Sequence, residues 1–188
     1  MHPNRTRHLE LVDDALTCIG QFDSVNIRQL AFWLYGEISL SSLSCTHRLI
    51  RTLLGKRLVL RRRGGDGIQR FVLACQGASR LGIRAGYHAP LLNAHLYDPV
   101  VEFLTIMRLQ GFNVFGRGRI RSEAPQYFAA DGLVLDTLDD GFGLIYIRNN
   151  TSATQGRLQR LKKLIEVRGL GHENLLKQLN VRQARTSD

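Results

Sequence analysis

Residues 58–73, LVLRRRGGDGIQRFVL, constrain the fold more than any other stretch of this chain. Two runs rich in strand-forming residues, Leu58–Arg63 and Ile68–Leu73, are joined by Gly64-Gly65-Asp66-Gly67. Glycine supplies the positive φ that a tight turn requires, so the spacing predicts two antiparallel strands. Three arginines lead into the turn and Arg70 leaves it. Such a hairpin is either an ordinary surface loop with solvated charges or a grip for a phosphate backbone.

The residues before the hairpin favour the grip. Leu9, Val12, Leu16 and Ile19 recur at helical spacing and predict a helix over 7–20, closed by Gly20. Asp23 or Ser24 is the expected cap of a second helix, whose Ile27, Leu30, Ala31 and Leu34 form one stripe ending at Gly36. Ser39, Ser41 and Ser42 offer caps for a third helix running to Leu54, with Gly55 as its stop. On that third helix Leu43, Ile50, Leu53 and Leu54 gather on one side, and His47 is expected to pack with them. Ser41, Ser44, Arg48 and Arg51 fall together on another side, a face suited to a major groove: arginine takes guanine edges, and serine takes a base or a phosphate. Lys56, Arg57, Arg61, Arg62, Arg63 and Arg70 are the expected phosphate contacts. Three helices followed by a cationic hairpin predict a winged helix-turn-helix over 1–82.

Charge is placed unevenly. The chain of 188 residues has a net charge of +10, which favours an anionic partner, nucleic acid before acidic membrane. Residues 1–74 hold 11 Lys/Arg against 6 acids, residues 75–150 hold 7 of each, and residues 151–188 hold 8 against 3. Two basic ends therefore flank a neutral middle. Cys18, Cys45 and Cys75 match no metal-ligand spacing and read as reduced thiols in a cytoplasmic protein. No apolar run approaches a membrane span, and the six histidines form no HExxH pattern.

A junction is expected near 82–90, at Gly82, Gly86 and Pro90. Beyond it, 91–109 reads as a long helix that Pro99 should kink or divide. Strands are expected at Phe112–Phe115, Arg119–Ser122, Leu133–Asp136 and Leu144–Arg148, with Gly116-Arg117-Gly118-Arg119 as a hairpin turn. A further helix over Thr154–Gly169 closes the pattern, followed by a tail with Leu175, Leu176, Leu179 and Val181, then a disordered end over 182–188. The fold class is α+β, with a second unit over 88–181 whose order of elements fits a small restriction-endonuclease-like domain.

The order of three helices and a hairpin, then FVLACQGASRLG, NAHLYDPVVEFL, RIRSEAPQ and ADGLVLD, resembles the replication-relaxation family of plasmids and integrative mobile elements. The likeness covers roughly residues 5–165. It implies a winged helix joined to a domain resembling the PD-(D/E)xK nucleases, with relatives among the relaxases of mobilisable plasmids. Asp131 sits where the family's Pro-Asp acid belongs, although Ala130 precedes it; Glu123 matches an upstream glutamate and Glu102 a helical acid. The following strand should carry an acid, a spacer and a lysine or second acid, and here it reads Leu144-Ile145-Tyr146-Ile147-Arg148. Nuclease chemistry of that class needs converging carboxylates for Mg²⁺, which Tyr146 and Arg148 do not supply. Asp136, Asp139 and Asp140 read as strand-end and turn residues, and Lys162 and Lys163 as a solvated helix face.

The sequence therefore predicts a double-stranded-DNA-binding protein of a plasmid or mobile element, without cofactor or metal. It would act as a transcriptional regulator or as an accessory factor in conjugative transfer or replication. A homodimer is expected, and other transfer or replication proteins are candidate partners. The rival readings are a metal-dependent nicking enzyme using Asp131 with Glu102 or Glu123, and a protein-interaction module of a larger complex.

Overall fold

The computed structural model describes residues 3–83, 94, 95, 97–127, 130–136 and 143–147. Helix α1, Pro3–Phe22, buries Val12, Ala15, Leu16 and Ile19 along one stripe. It runs through Gly20, the expected stop. A Cβ at that position would meet Leu73, Leu81 and Ile83 at 3.0–3.3 Å, so the glycine serves close packing within the helix.

Asp23, at φ 66°, turns the chain into strand β1, Val25–Asn26. Helix α2, Ile27–Tyr35, is capped by Asn26, not by Asp23 or Ser24: Asn26 Oδ1 accepts from the Arg28 and Gln29 amides, and Gln29 Oε1 accepts from the Asn26 amide. Pairing of β1 with Phe71 and Arg70 holds residues 25 and 26 extended and defers the helix start to residue 27. Gly36, at φ 72°, ends α2 in the left-handed conformation. Helix α3, Leu40–Gly55, opens with a reciprocal Ser39–Ser42 capping box and ends at Gly55, the expected stop, one residue past Leu54.

Strands β2, Val59–Arg63, and β3, Gln69–Leu73, pair antiparallel from Val59↔Leu73 to Arg63↔Gln69. The Gly64 and Gly67 amides close the turn, and Gly67 takes φ 76°. The sheet order β1-β3-β2 puts β3 in the centre. Helix α4, Cys75–Arg80, follows, with Gly77 pressed against the Leu58 carbonyl, where no side chain fits.

Helix α5, Asp98–Leu109, starts later than expected and is not kinked. Pro99 lies in its first turn, where a missing amide hydrogen costs nothing. Residues 91–93 and 96 of the expected long helix fall outside the described set. Strand β4, Asn113–Gly116, is followed by helix α6, Arg117–Glu123, where a turn and a strand over Arg119–Ser122 are expected. The alternation Arg119-Ile120-Arg121-Ser122 imitates a strand. Helical spacing instead buries Ile120 and joins Arg119 to Glu123 at 2.8 Å, and the small profiles of Gly116 and Gly118 let this segment press on the carbonyls of Gln21 and Gly20. After a 3₁₀ turn at Pro125–Tyr127, strands β5, Gly132–Asp136, and β6, Gly143–Ile147, complete an antiparallel sheet ordered β4-β5-β6.

The protein is thus α+β with two small antiparallel sheets. One hydrophobic cluster joins its halves: Leu16, Leu30, Trp33 and Leu53 share it with Val100, Leu104, Met107, Val114 and Val134. Helix α1 packs on α6 and α2 packs on α5. Arg108 tightens this seam by stacking 4.2 Å over Trp33 and donating to its carbonyl at 3.1 Å. Phe115, Ile120, Ala124, Ala130 and Leu133 form a second, smaller cluster. The expected helix over 154–169, the tail and Arg148 lie outside the described residues.

Candidate nucleic-acid interface

Helix α3 divides cleanly into two faces. Ser42, Thr46, Leu49, Ile50 and Leu53 are buried, with Thr46 Oγ1 donating to the Ser42 carbonyl at 2.7 Å. Leu43 and Leu54 are half-buried at the margin of that face. Ser41, Ser44, Arg48 and Arg51 are all exposed, as their spacing predicts. His47 is exposed with them and does not pack against the core. At 100° per residue its direction lies between the apolar margin and the polar stripe, and the inner positions are taken by Thr46 and Ile50. Leu40, not anticipated as part of the face, also projects from it.

Past α3 the chain turns through Lys56 and Arg57, both exposed, with Arg57 in the left-handed conformation at φ 55°. The arginines of β2 follow. Alternation along a strand puts Arg61 and Arg63 on the face of Phe71 and Gln69, while Arg62 shares the other face with Arg70. All three are exposed. Residues 38–65 contain no acid. Among the described residues none of Arg48, Arg51, Lys56, Arg57, Arg61, Arg62 and Arg63 pairs with a carboxylate, whereas Arg80, Arg117, Arg119 and Arg121 each do, with Asp13, Asp131, Glu123 and Asp23. Cations left unneutralised by the protein itself keep their charge for an external anion.

Arg70 is a correction. Expected as a phosphate contact, it is 0% exposed. Its guanidinium donates to both Asp66 oxygens at 2.7 and 2.9 Å and to Asp98 Oδ2 at 2.8 Å, and Gln29 Nε2 donates to Asp98 Oδ1 at 2.8 Å. Burial alone would lower the Arg70 pKa, but its two carboxylate partners hold it above the ordinary value. The hydrogen bond from Arg70 pulls the Asp66 carboxyl down to about 2. This cluster ties the hairpin turn to the first turn of α5 and to α2. The sequence holds only part of the signal: Arg70 lies beside Phe71, Val72 and Leu73, but its place on the middle strand and its partner Asp98 come from the tertiary fold.

The three acids named for metal chemistry stand apart in role. Glu102 is exposed on α5, and Glu123 lies on helix α6 in the ion pair with Arg119. Asp131 precedes β5, with the Arg117 Nε at 3.6 Å, and Arg117 itself stacks 4.1 Å over Tyr97. A guanidinium there opposes a divalent cation. Among the described residues no three His, Cys, Asp or Glu side chains gather as a metal site requires. Cys18 is buried, which pushes its thiol well above the ordinary range and leaves it protonated. No described helix is long and apolar enough to cross a membrane. The chain matches no family model, no curated protein and no solved structure.

Proposed function

We propose that this protein binds double-stranded DNA through an N-terminal winged helix-turn-helix, with α3 as the recognition helix and the β2–β3 hairpin as the wing. The observation that carries the reading is the set of exposed cations Arg48, Arg51, Lys56, Arg57, Arg61, Arg62 and Arg63, which lie in a stretch without acids and have no carboxylate partner among the described residues. The element order α1-β1-α2-α3-β2-β3, with β1 added to the edge of the hairpin sheet, supports it as well. Arg70 is excluded from the contact set because water does not reach it.

The second half, in which α5, β4, α6, β5 and β6 build an antiparallel sheet ordered β4-β5-β6, is the part we read as a nuclease-like unit that acts without cleaving DNA. Arg117 beside Asp131 and Arg119 on Glu123 favour that reading over a nicking enzyme. The resemblance to the replication-relaxation family suggests the setting: a transcriptional regulator, or an accessory factor in conjugative transfer or replication, working as a homodimer on a plasmid or mobile element.

The test is capture of genomic and plasmid fragments on the purified protein, followed by sequencing and by titration of a captured duplex at several salt concentrations. Enrichment of discrete fragments with steeply salt-dependent affinity is expected. Recovery of no duplex at low salt would overturn the proposal.

A further inference from the structure

Leu40 occupies the first position of α3 and is 89% exposed. A leucine there caps nothing, because Ser39 already accepts from the Ser42 amide, and it covers almost none of its own surface. The first turn of α3 also contains no acid, although the helix dipole favours one at that end. Glu37 lies just before that turn, with its carboxylate accepting from the Ser39 hydroxyl at 3.0 Å, so the unusual feature is the apolar side chain itself, which is poorly matched to water and of the kind that meets a thymine methyl in a major groove.

Position on the helix sharpens the point. At 100° per residue Leu40, Ser44, His47, Arg48 and Arg51 lie within one stripe of about 100°. All five are exposed. From Leu40 to Arg51 the stripe is about 16 Å long, or roughly five base-pair steps. It reads, in order, apolar, hydroxyl, imidazole, guanidinium, guanidinium. Groove-reading helices meet base edges mainly through their N-terminal residues, which is where Leu40 sits.

We infer that Leu40 is a specificity-determining residue that contacts a thymine C5-methyl, so that the recognised half-site has thymine at one end of the α3 footprint and guanine at the other, under Arg48 and Arg51. The assignment rests on the DNA-binding reading above. A second copy of this chain or another protein is the alternative occupant of Leu40, but Arg48 and Arg51 on the same exposed stripe favour a polyanion.

The experiment selects duplexes from a randomised library on the full chain and replaces each thymine of the selected site, one at a time, with deoxyuridine, which lacks the methyl group. The wild-type protein should lose about fourfold in affinity at one thymine, the scale of one buried methyl contact. That thymine should lie about four to five base pairs from a guanine whose loss is no longer felt in Arg51→Ala. Leu40→Ala should bind thymine and deoxyuridine duplexes equally at that position and keep its affinity for random duplex. Because Leu40 buries almost nothing and alanine is the better helix former, the variant should keep its melting transition. Indifference of the wild type to every deoxyuridine, or an equal methyl effect in Leu40→Ala, would overturn the assignment while leaving DNA binding standing. Conversion of an oligomer to monomer by Leu40→Ala would overturn it in favour of a protein contact. Failure to select any duplex would remove the DNA reading and this assignment together.

Discussion

Arginine appears here in two physical states that the sequence alone does not separate. Arg62 and Arg70 face each other across the β2–β3 ladder, yet one is exposed and the other is enclosed by Asp66 and Asp98. Arg70 is the buried member, while Asp66 and Asp98 keep partial access to water and can be solvated when it is removed. Arg70→Ala should therefore lose about 1.5–3 kcal/mol of stability in urea unfolding, the scale of lost hydrogen bonds to charged groups. Arg62→Ala should change stability by no more than about 0.5 kcal/mol and weaken DNA binding instead. Equal destabilisation by the two would mean that the exposed arginine also holds the fold. Arg48 and Arg51 carry a separate expectation. Each good base contact contributes about 1–3 kcal/mol of discrimination, so Arg48→Ala or Arg51→Ala should reduce preference for the selected site more than affinity for random DNA. Equal losses on both would make them phosphate contacts.

At the scale of elements, helix α3 and the hairpin were legible because their signals are local: a serine cap, a 3.6-residue stripe, and a glycine-rich turn between two branched-residue runs. What escaped depends on distant partners. The start of α2 is set by β1 pairing with β3, and a two-residue strand leaves no periodicity to read. Helix α6 alternates like a strand, and what favours the helix is tertiary: the carbonyls of α1 against Gly116 and Gly118, and the burial of Ile120. The role of Arg70 required knowing that Asp98, 28 residues later, would arrive beside the hairpin. The hairpin itself gives a prediction. Replacing Arg61, Arg62 and Arg63 together with Ala should weaken binding to all duplexes alike and reduce the salt slope by roughly two to three, since each phosphate contact contributes about 0.9. An unchanged slope would remove the hairpin from the interface. Because the Asp66–Arg70 anchor is intact in that variant, its unfolding transition should stay close to that of the wild type.

Across the whole molecule, the shared cluster from Val12 to Val134 makes the α3–hairpin unit and the second half mechanically continuous. Asp98 links them polarly as well, since it holds Arg70 of the hairpin and Gln29 of α2 from the first turn of α5. A DNA-binding surface carried by so small a unit gains site length by pairing, with two recognition helices one helical turn apart on the duplex. Light scattering at about 20 micromolar should accordingly report a dimer, and a monomer there would count against it.

Catalysis depends on the surroundings of three acids, all of them in the second half. A nuclease site requires carboxylates on neighbouring elements to converge on one cation, with the surrounding charge favouring its entry. Glu102 is exposed on α5, and Glu123 is engaged by Arg119. Asp131 has the Arg117 guanidinium at 3.6 Å, where Coulomb repulsion raises the cost of admitting Mg²⁺. Purified protein should neither nick nor cleave supercoiled plasmid with Mg²⁺ or Mn²⁺, and Asp131→Ala should leave DNA affinity unchanged. Arg117→Ala extends the test by removing the repelling charge: if the acids are merely masked, metal-dependent nicking should appear in that variant and vanish again when Asp131→Ala is added. If the wild type nicks DNA with metal and loses that activity in Asp131→Ala, the protein is an enzyme. The ion pair seen here would then be a resting state that the cation displaces.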